Sequence, residues 1–158
     1  MKQRINYGPM IQDQVAKIAQ MGNALEESLG ASLFSLVHCR VSQLNGCAFC
    51  LDMDVKKARL RGERDLRMYH ISVWRESNLF SDRERAALEW AEAVTKIGNT
   101  QEISDEIFGR VREHFAEKDL VELTLAISLV NVWNRLAVSF RAVPGSLDAY
   151  FGLDKVKI

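Results

Sequence analysis

Two thiols stand three residues apart in Cys47-Ala48-Phe49-Cys50, entered through Asn45-Gly46, with Asp54 four residues after the second cysteine. At a helix start, residues at this spacing lie about one turn apart, close enough for a disulfide with modest adjustment. A helix start also exposes unpaired amides and the positive end of the macrodipole, which stabilise a thiolate. Asp54 follows Cys47 by seven positions, so the helical spacing places all three side chains on one face. Such a thiolate can attack a peroxide O–O bond, become a sulfenic acid and condense with the second thiol to a disulfide. The departing alkoxide needs a proton, so a nearby acid–base group is expected.

Plainer readings compete. The bland alternative for the two cysteines is a pair of small buried hydrophobes. His38, Cys39, Cys47 and Cys50 together offer four zinc ligands, but His38 and Cys39 are adjacent and diverge by about 100° around a helix axis. No metal site is therefore expected. Cys39 reads as core or interface packing, and His70 and His114 have no second catalytic group at a telling spacing. Trp74, Trp90 and Trp133 suit the core or subunit contacts. Asn131, Asn134 and Arg135 interrupt an apolar stretch and require partners, either backbone groups near the thiols or an oligomer contact. Lys56-Lys57 and the arginine-rich run 59–67 read as a solvated face, with a basic rim for an acidic carrier as the alternative. There is no glycine-rich phosphate cradle, GxSxG elbow or HExxH.

The elements that must position these residues are helical. Only Pro9 and Pro144 interrupt propagation, and no alternating run of branched residues argues for a sheet. Apolar periodicity predicts a first helix over 10–29 with Ile11, Val15, Ile18 and Met21 on one face. A second is predicted over 32–44, ended by Asn45-Gly46, and a third over 47–61, ended by Gly62. A short helix follows over 65–72. Ser81 with Glu84 forms a capping box for 82–97. Ser104 caps a helix reaching 115, and the apolar stretch 119–141 is expected to be central. The fold class is all-α, as a single domain over 1–158.

Composition agrees with such a domain. The 158 residues are 47% hydrophobic and 27% charged, enough to bury a core. Lysine plus arginine and aspartate plus glutamate number 21 each, so no global field favours nucleic acid or an acidic membrane. The N-terminal segment has no apolar signal region, and the longest apolar stretch is too polar for a bilayer span. Three cysteines are too few for a disulfide scaffold, which predicts a cytoplasmic, reducing setting.

A longer set of residues in order carries a resemblance. It comprises Arg4-Ile-Asn-Tyr7, Arg40-Val-Ser-Gln-Leu-Asn-Gly-Cys-Ala-Phe-Cys-Leu-Asp-Met53, Lys57-Ala-Arg59, Gly62-Glu63, Trp74-Arg-Glu-Ser77, Asp82-Arg-Glu-Arg-Ala-Ala-Leu88 with Trp90, and Asn131-Val-Trp-Asn-Arg135. This set resembles the AhpD-like alkylhydroperoxidases of the carboxymuconolactone decarboxylase superfamily, in their peroxidase-related branch. The resemblance implies an AhpD-like all-α domain assembled as a homotrimer or homohexamer, reducing alkyl hydroperoxides without a bound cofactor. It implies Cys50 as the attacking thiol and Cys47 as its resolving partner. It also implies a dithiol reductant, a lipoylated carrier or a thioredoxin-like protein. Two positions depart from the family pattern. Asp54 replaces the histidine of CxxCxxxH, and Ser35 replaces a glutamate twelve residues before the first cysteine. An ionised carboxylate beside a thiol raises its pKa and opposes activation. His38, one turn after Ser35, is placed to meet Asp54 and restore a carboxylate–imidazole pair with its partners exchanged. The rival readings are a CxxC protein that exchanges disulfides or senses redox state, and a non-enzymatic oligomeric binding module. Lactone decarboxylation is disfavoured, since those relatives generally lack the paired thiols.

Overall fold

Chain breakers divide the computed structural model, which describes residues 2–97 and 102–156, into a helical bundle. Its helices are α1 (Gln12–Leu29), α2 (Ala31–Leu44), α3 (Ala48–Leu60), α4 (Asp65–His70), α5 (Asp82–Thr95), α6 (Asp105–Arg112), α7 (Glu117–Phe140) and α8 (Asp148–Phe151). Short 3-10 turns occupy Gly8–Ile11 and Ile71–Glu76. No strand occurs among the described residues, as the all-α expectation requires.

The capping chemistry read from the sequence is present. Ser81 and Glu84 bond reciprocally at the start of α5, and the Ser104 side chain caps α6. Gly46, at φ 65°, turns the chain between α2 and α3 in a conformation a side chain would resist. The helix expected over 65–72 stops at His70 and tightens into a 3-10 turn, where Val73 leaves helical geometry.

α2 is the central helix. Every residue from Leu33 to Cys39 is buried, and α2 packs against α1, α3, α5 and α7. One side, Leu33, Phe34, Val37 and Val41, joins the cluster with Trp90, Leu123 and Ile127. The opposite side, Leu36 and Cys39, joins Ala58, Met68, Ile71, Trp74 and Leu88. Each such aliphatic side chain contributes about 1.5–3 kcal/mol by leaving water.

Four expectations are corrected. α7 is not the central helix, because Val121, Leu125 and Val132 form an exposed stripe on it while Leu123, Ile127 and Val130 are buried. Against the expectation that this stretch is too polar for a bilayer span, its length and composition alone would let it cross a membrane, and here it packs on α1, α2, α3 and α5. The α1 face is also rotated. Met21 is exposed, and Leu25 and Leu29 continue the stripe from Val15 and Ile18. Lys56 and Arg67, read as solvated, are buried: Lys56 pairs with Asp52 at 2.8 Å and Asp148 at 2.6 Å. Arg67 pairs with Glu63 at 2.9 Å and Glu84 at 2.6 Å. Paired charges can be buried where isolated ones cannot.

Candidate functional site

The thiol pair sits where α2 hands over to α3. The Cys47 amide donates to Ser42 O at 2.9 Å, which folds the Asn45-Gly46 turn back on α2. Cys47 thereby becomes the N-cap of α3, and its Sγ accepts the Cys50 amide at 3.3 Å. The two cysteines are joined as a disulfide, with Cα atoms 5.4 Å apart. They pack on Ala137 of α7, with the partly exposed Phe49, Trp133 and Ala142 around them. Cys47 is 2% exposed and Cys50 7%, so both are largely enclosed and Cys50 is the more open of the two.

One turn further along α3, Asp54 meets His38, with Oδ1 3.8 Å from Nδ1. Both side chains are largely enclosed. Ser42 Oγ donates to Asp54 Oδ2 at 3.5 Å and accepts Asn134 Nδ2 at 3.1 Å. The His38 ring lies against Phe34 at 3.9 Å between centroids, and its buried Nε2 has no partner among the described residues. A buried ring nitrogen without a partner is uncommon.

Ser35 is buried on the same side of α2 and accepts Arg61 Nη1 at 3.5 Å. It lines a cleft of about 240 Å³ with Ser32, Arg61 and Glu63. The carboxylate there is Glu63, which accepts Ser32 Oγ at 2.8 Å and pairs with Arg67. Burial alone would raise the Glu63 pKa, yet the bonds from Ser32, the Arg64 amide and Arg67 hold it below the usual carboxylate range. Cys39 is fully enclosed, and burial, then the charges of Asp54 and Glu63, push its thiol well above the usual range. It is a packing residue with no ready thiolate.

The asparagines of α7 face the thiol turn. Asn45 Nδ2 donates to Asn131 Oδ1 at 2.9 Å and to Asn134 Oδ1 at 2.8 Å. Arg135 Nη1 donates to the same Asn131 oxygen at 2.7 Å. Ser42 and Asn45 escaped the sequence reading. Ser42 was findable, because it follows His38 by four residues and so shares the α2 face that meets Asp54. Along the sequence Asn45 signals only a helix end. The structure also ties the C-terminal segment to α3. Arg141, in the left-handed region at φ 53°, turns the chain off α7, and Ala142 packs by the disulfide. Gly145 then donates to Asp52 Oδ2 at 3.1 Å.

This arrangement lies within a known family. The carboxymuconolactone decarboxylase family matches residues 9–93, which span α1 to most of α5 and include both cysteines, His38 and Asp54. The uncharacterised protein YdfG of Bacillus subtilis (strain 168) is 37% identical over 140 residues, 88% of this chain and 95% of the relative. A crystal structure from Agrobacterium tumefaciens, ATU0492, is of a protein of unknown function proposed as an AhpD antioxidant defence protein. It is 40% identical, covers 90% of this chain and 98% of its own, and superposes with a TM-score of 0.85. The AhpD core of a peroxidase-related protein from Ralstonia eutropha JMP134 shares 20% identity over 96% of this chain and 80% of its own, at a TM-score of 0.76, a likeness of fold. The all-helical architecture, the paired cysteines and these matches identify the chain as a member of the carboxymuconolactone decarboxylase family with an AhpD-like fold.

Proposed function

We propose that this chain is a thiol-dependent peroxidase that reduces alkyl or related hydroperoxides in antioxidant defence. The observation that carries the reading is the Cys47–Cys50 pair at disulfide distance on the N-terminus of α3, with the His38–Asp54 pair one turn away. Cys50, as thiolate, attacks the peroxide. The O–O bond breaks, an alcohol leaves with a proton, and Cys50 becomes a sulfenic acid. Cys47 displaces water from it and the disulfide closes. A dithiol, a lipoylated carrier or thioredoxin-like protein, then gives two electrons and two protons to restore both thiols. His38, oriented by Asp54, handles the proton. The greater exposure of Cys50 supports it as attacker, and the cycle needs neither metal nor bound cofactor. We place the cycle in a reducing, cytoplasmic compartment and in a homotrimer or homohexamer. The exposed stripe Val121, Leu125 and Val132 on α7 supports the assembly, which sedimentation tests directly.

Rapid mixing of the reduced protein with cumene hydroperoxide tests the reading. Two thiols per chain are expected to disappear with release of one alcohol, while Cys39 stays intact. Persistence of both thiols on the timescale of a free-thiol control sinks it. A second reading, disulfide exchange or redox sensing, draws support from the burial of both cysteines and from Asp54 and Ser35 at the relay positions. Such a protein equilibrates with dithiols yet reacts with peroxide no faster than free cysteine.

A further inference from the structure

We propose that Asn45 and Asn134 are positioning residues that set the redox equilibrium of the Cys47–Cys50 pair, an inference resting on the thiol–disulfide cycle above. Asn45 precedes Cys47 by two residues, and its backbone, at φ −85° and ψ −4°, suits almost any residue. What distinguishes it is the side chain, whose Nδ2 bonds both asparagine oxygens on α7. Those acceptors are themselves fixed. Asn131 donates to Ile127 O at 2.9 Å and Thr95 Oγ1 at 3.2 Å, and Asn134, 1% exposed, donates to Ser42 Oγ at 3.1 Å. Ser42 in turn holds the Cys47 amide through its carbonyl. The chain of contacts runs from Asn45 to Asn134 to Ser42 to Cys47 and encloses the turn. The helix that grips the turn also supplies Ala137 and Trp133, which pack around the sulfurs.

The clamp acts unequally on the two redox states. Reduction by dithiothreitol breaks the S–S bond, adds two electrons and two protons to give two thiols, and oxidises the reagent to its cyclic disulfide. In the oxidised protein the covalent bond restrains the turn with or without Asn45. In the dithiol form the clamp adds to the N-terminal turn of α3 in holding the sulfurs adjacent. Removing it frees the backbone of the reduced state and shifts the equilibrium roughly tenfold. The disulfide then becomes easier to reduce.

The full chain is equilibrated at fixed ratios of reduced and oxidised dithiothreitol, as wild type, Asn45→Ala, Asn134→Leu and Trp90→Phe. Asn45→Ala is expected to favour the dithiol by about tenfold, a potential higher by ~30 mV, with Asn134→Leu moving the same way. Trp90→Phe removes a 2.9 Å bond to Thr124 in the opposite cluster and controls for general loss of stability. Its equilibrium is expected to match wild type. An unmoved equilibrium in Asn45→Ala, a move toward the disulfide, or an equal move in Trp90→Phe overturns the clamp. A wild-type pair that never forms the disulfide removes the cycle itself, a different result from a wild-type pair that cycles with an inert Asn45.

Discussion

At the scale of residues, the site turns on a carboxylate standing where an imidazole is usual. The reach of the Asp54 charge is visible at Cys39, whose thiol it helps hold in the neutral form. The same sign of effect on a cycling thiol opposes thiolate formation. Asp54→His puts a neutral or cationic ring on this turn and removes that opposition. The expected outcome is a rise of about tenfold or more in the second-order rate with cumene hydroperoxide, with a lower midpoint in the pH profile of Cys50 alkylation. His38→Ala is expected to slow wild-type peroxide reduction, and rates equal to wild type leave His38 without a catalytic part. The thiol spacing, the Asp54 substitution and the approach of His38 were all legible, because each depends on helical periodicity within one or two neighbouring helices. Ser42 was less so, since a serine among apolar residues carries no sign of which carboxylate it meets.

At the scale of elements, local signals are legible in the sequence and distant partnerships are not. Caps at Ser81 and Ser104 and the breaks at Gly46 and Gly62 are set by residues next to them. α8 spans Asp148–Phe151, too short to show a period, and the preceding Pro144-Gly145-Ser146 reads as loop. The burial of Lys56 follows from Asp148, 92 positions away, which no pattern along the chain announces. Burial alone would lower the Lys56 pKa, but its bonds to Asp148 and Asp52 outweigh that and raise it. Lys56→Met leaves both aspartates without their cation. We expect a loss of about 1–3 kcal/mol, or a melting temperature lower by several degrees. Hydrogen exchange is expected to quicken across residues 143–151, where Gly145 and Asp148 hold the segment to α3. Because Ala142 packs beside the disulfide, reduction by dithiothreitol is expected to speed up in this variant. Unchanged exchange in 143–151 refutes the tie.

At the scale of the molecule, enclosed carboxylates tie neighbouring elements together through cations and hydrogen bonds. Glu92 on α5 accepts Trp74 Nε1 at 2.9 Å, Arg40 Nε at 2.8 Å and Arg75 Nη1 at 3.0 Å, linking α2 and the 3-10 turn to α5. Glu84 and Glu63 do the same for Arg67. Burial alone would raise all three carboxyl pKa values. The hydrogen bonds and cations around them prevail and hold each below its ordinary value. A depressed folded pKa means that the unfolded chain takes up protons first as pH falls. The stability from these groups is therefore complete above an unfolded pKa of about 4.3 and drains away as pH drops through the lower folded values. Glu92→Gln removes the charge at every pH and leaves Arg40 and Arg75 uncompensated, at a cost of about 2–4 kcal/mol near neutrality. On acidification the wild type loses the same charge, so the two melting temperatures are expected to converge below about pH 4. Melting curves of both proteins from pH 7 to pH 3 decide the point. A gap that stays constant across that range shows that Glu92 holds α5 by shape and packing, with its ionisation contributing nothing to the join.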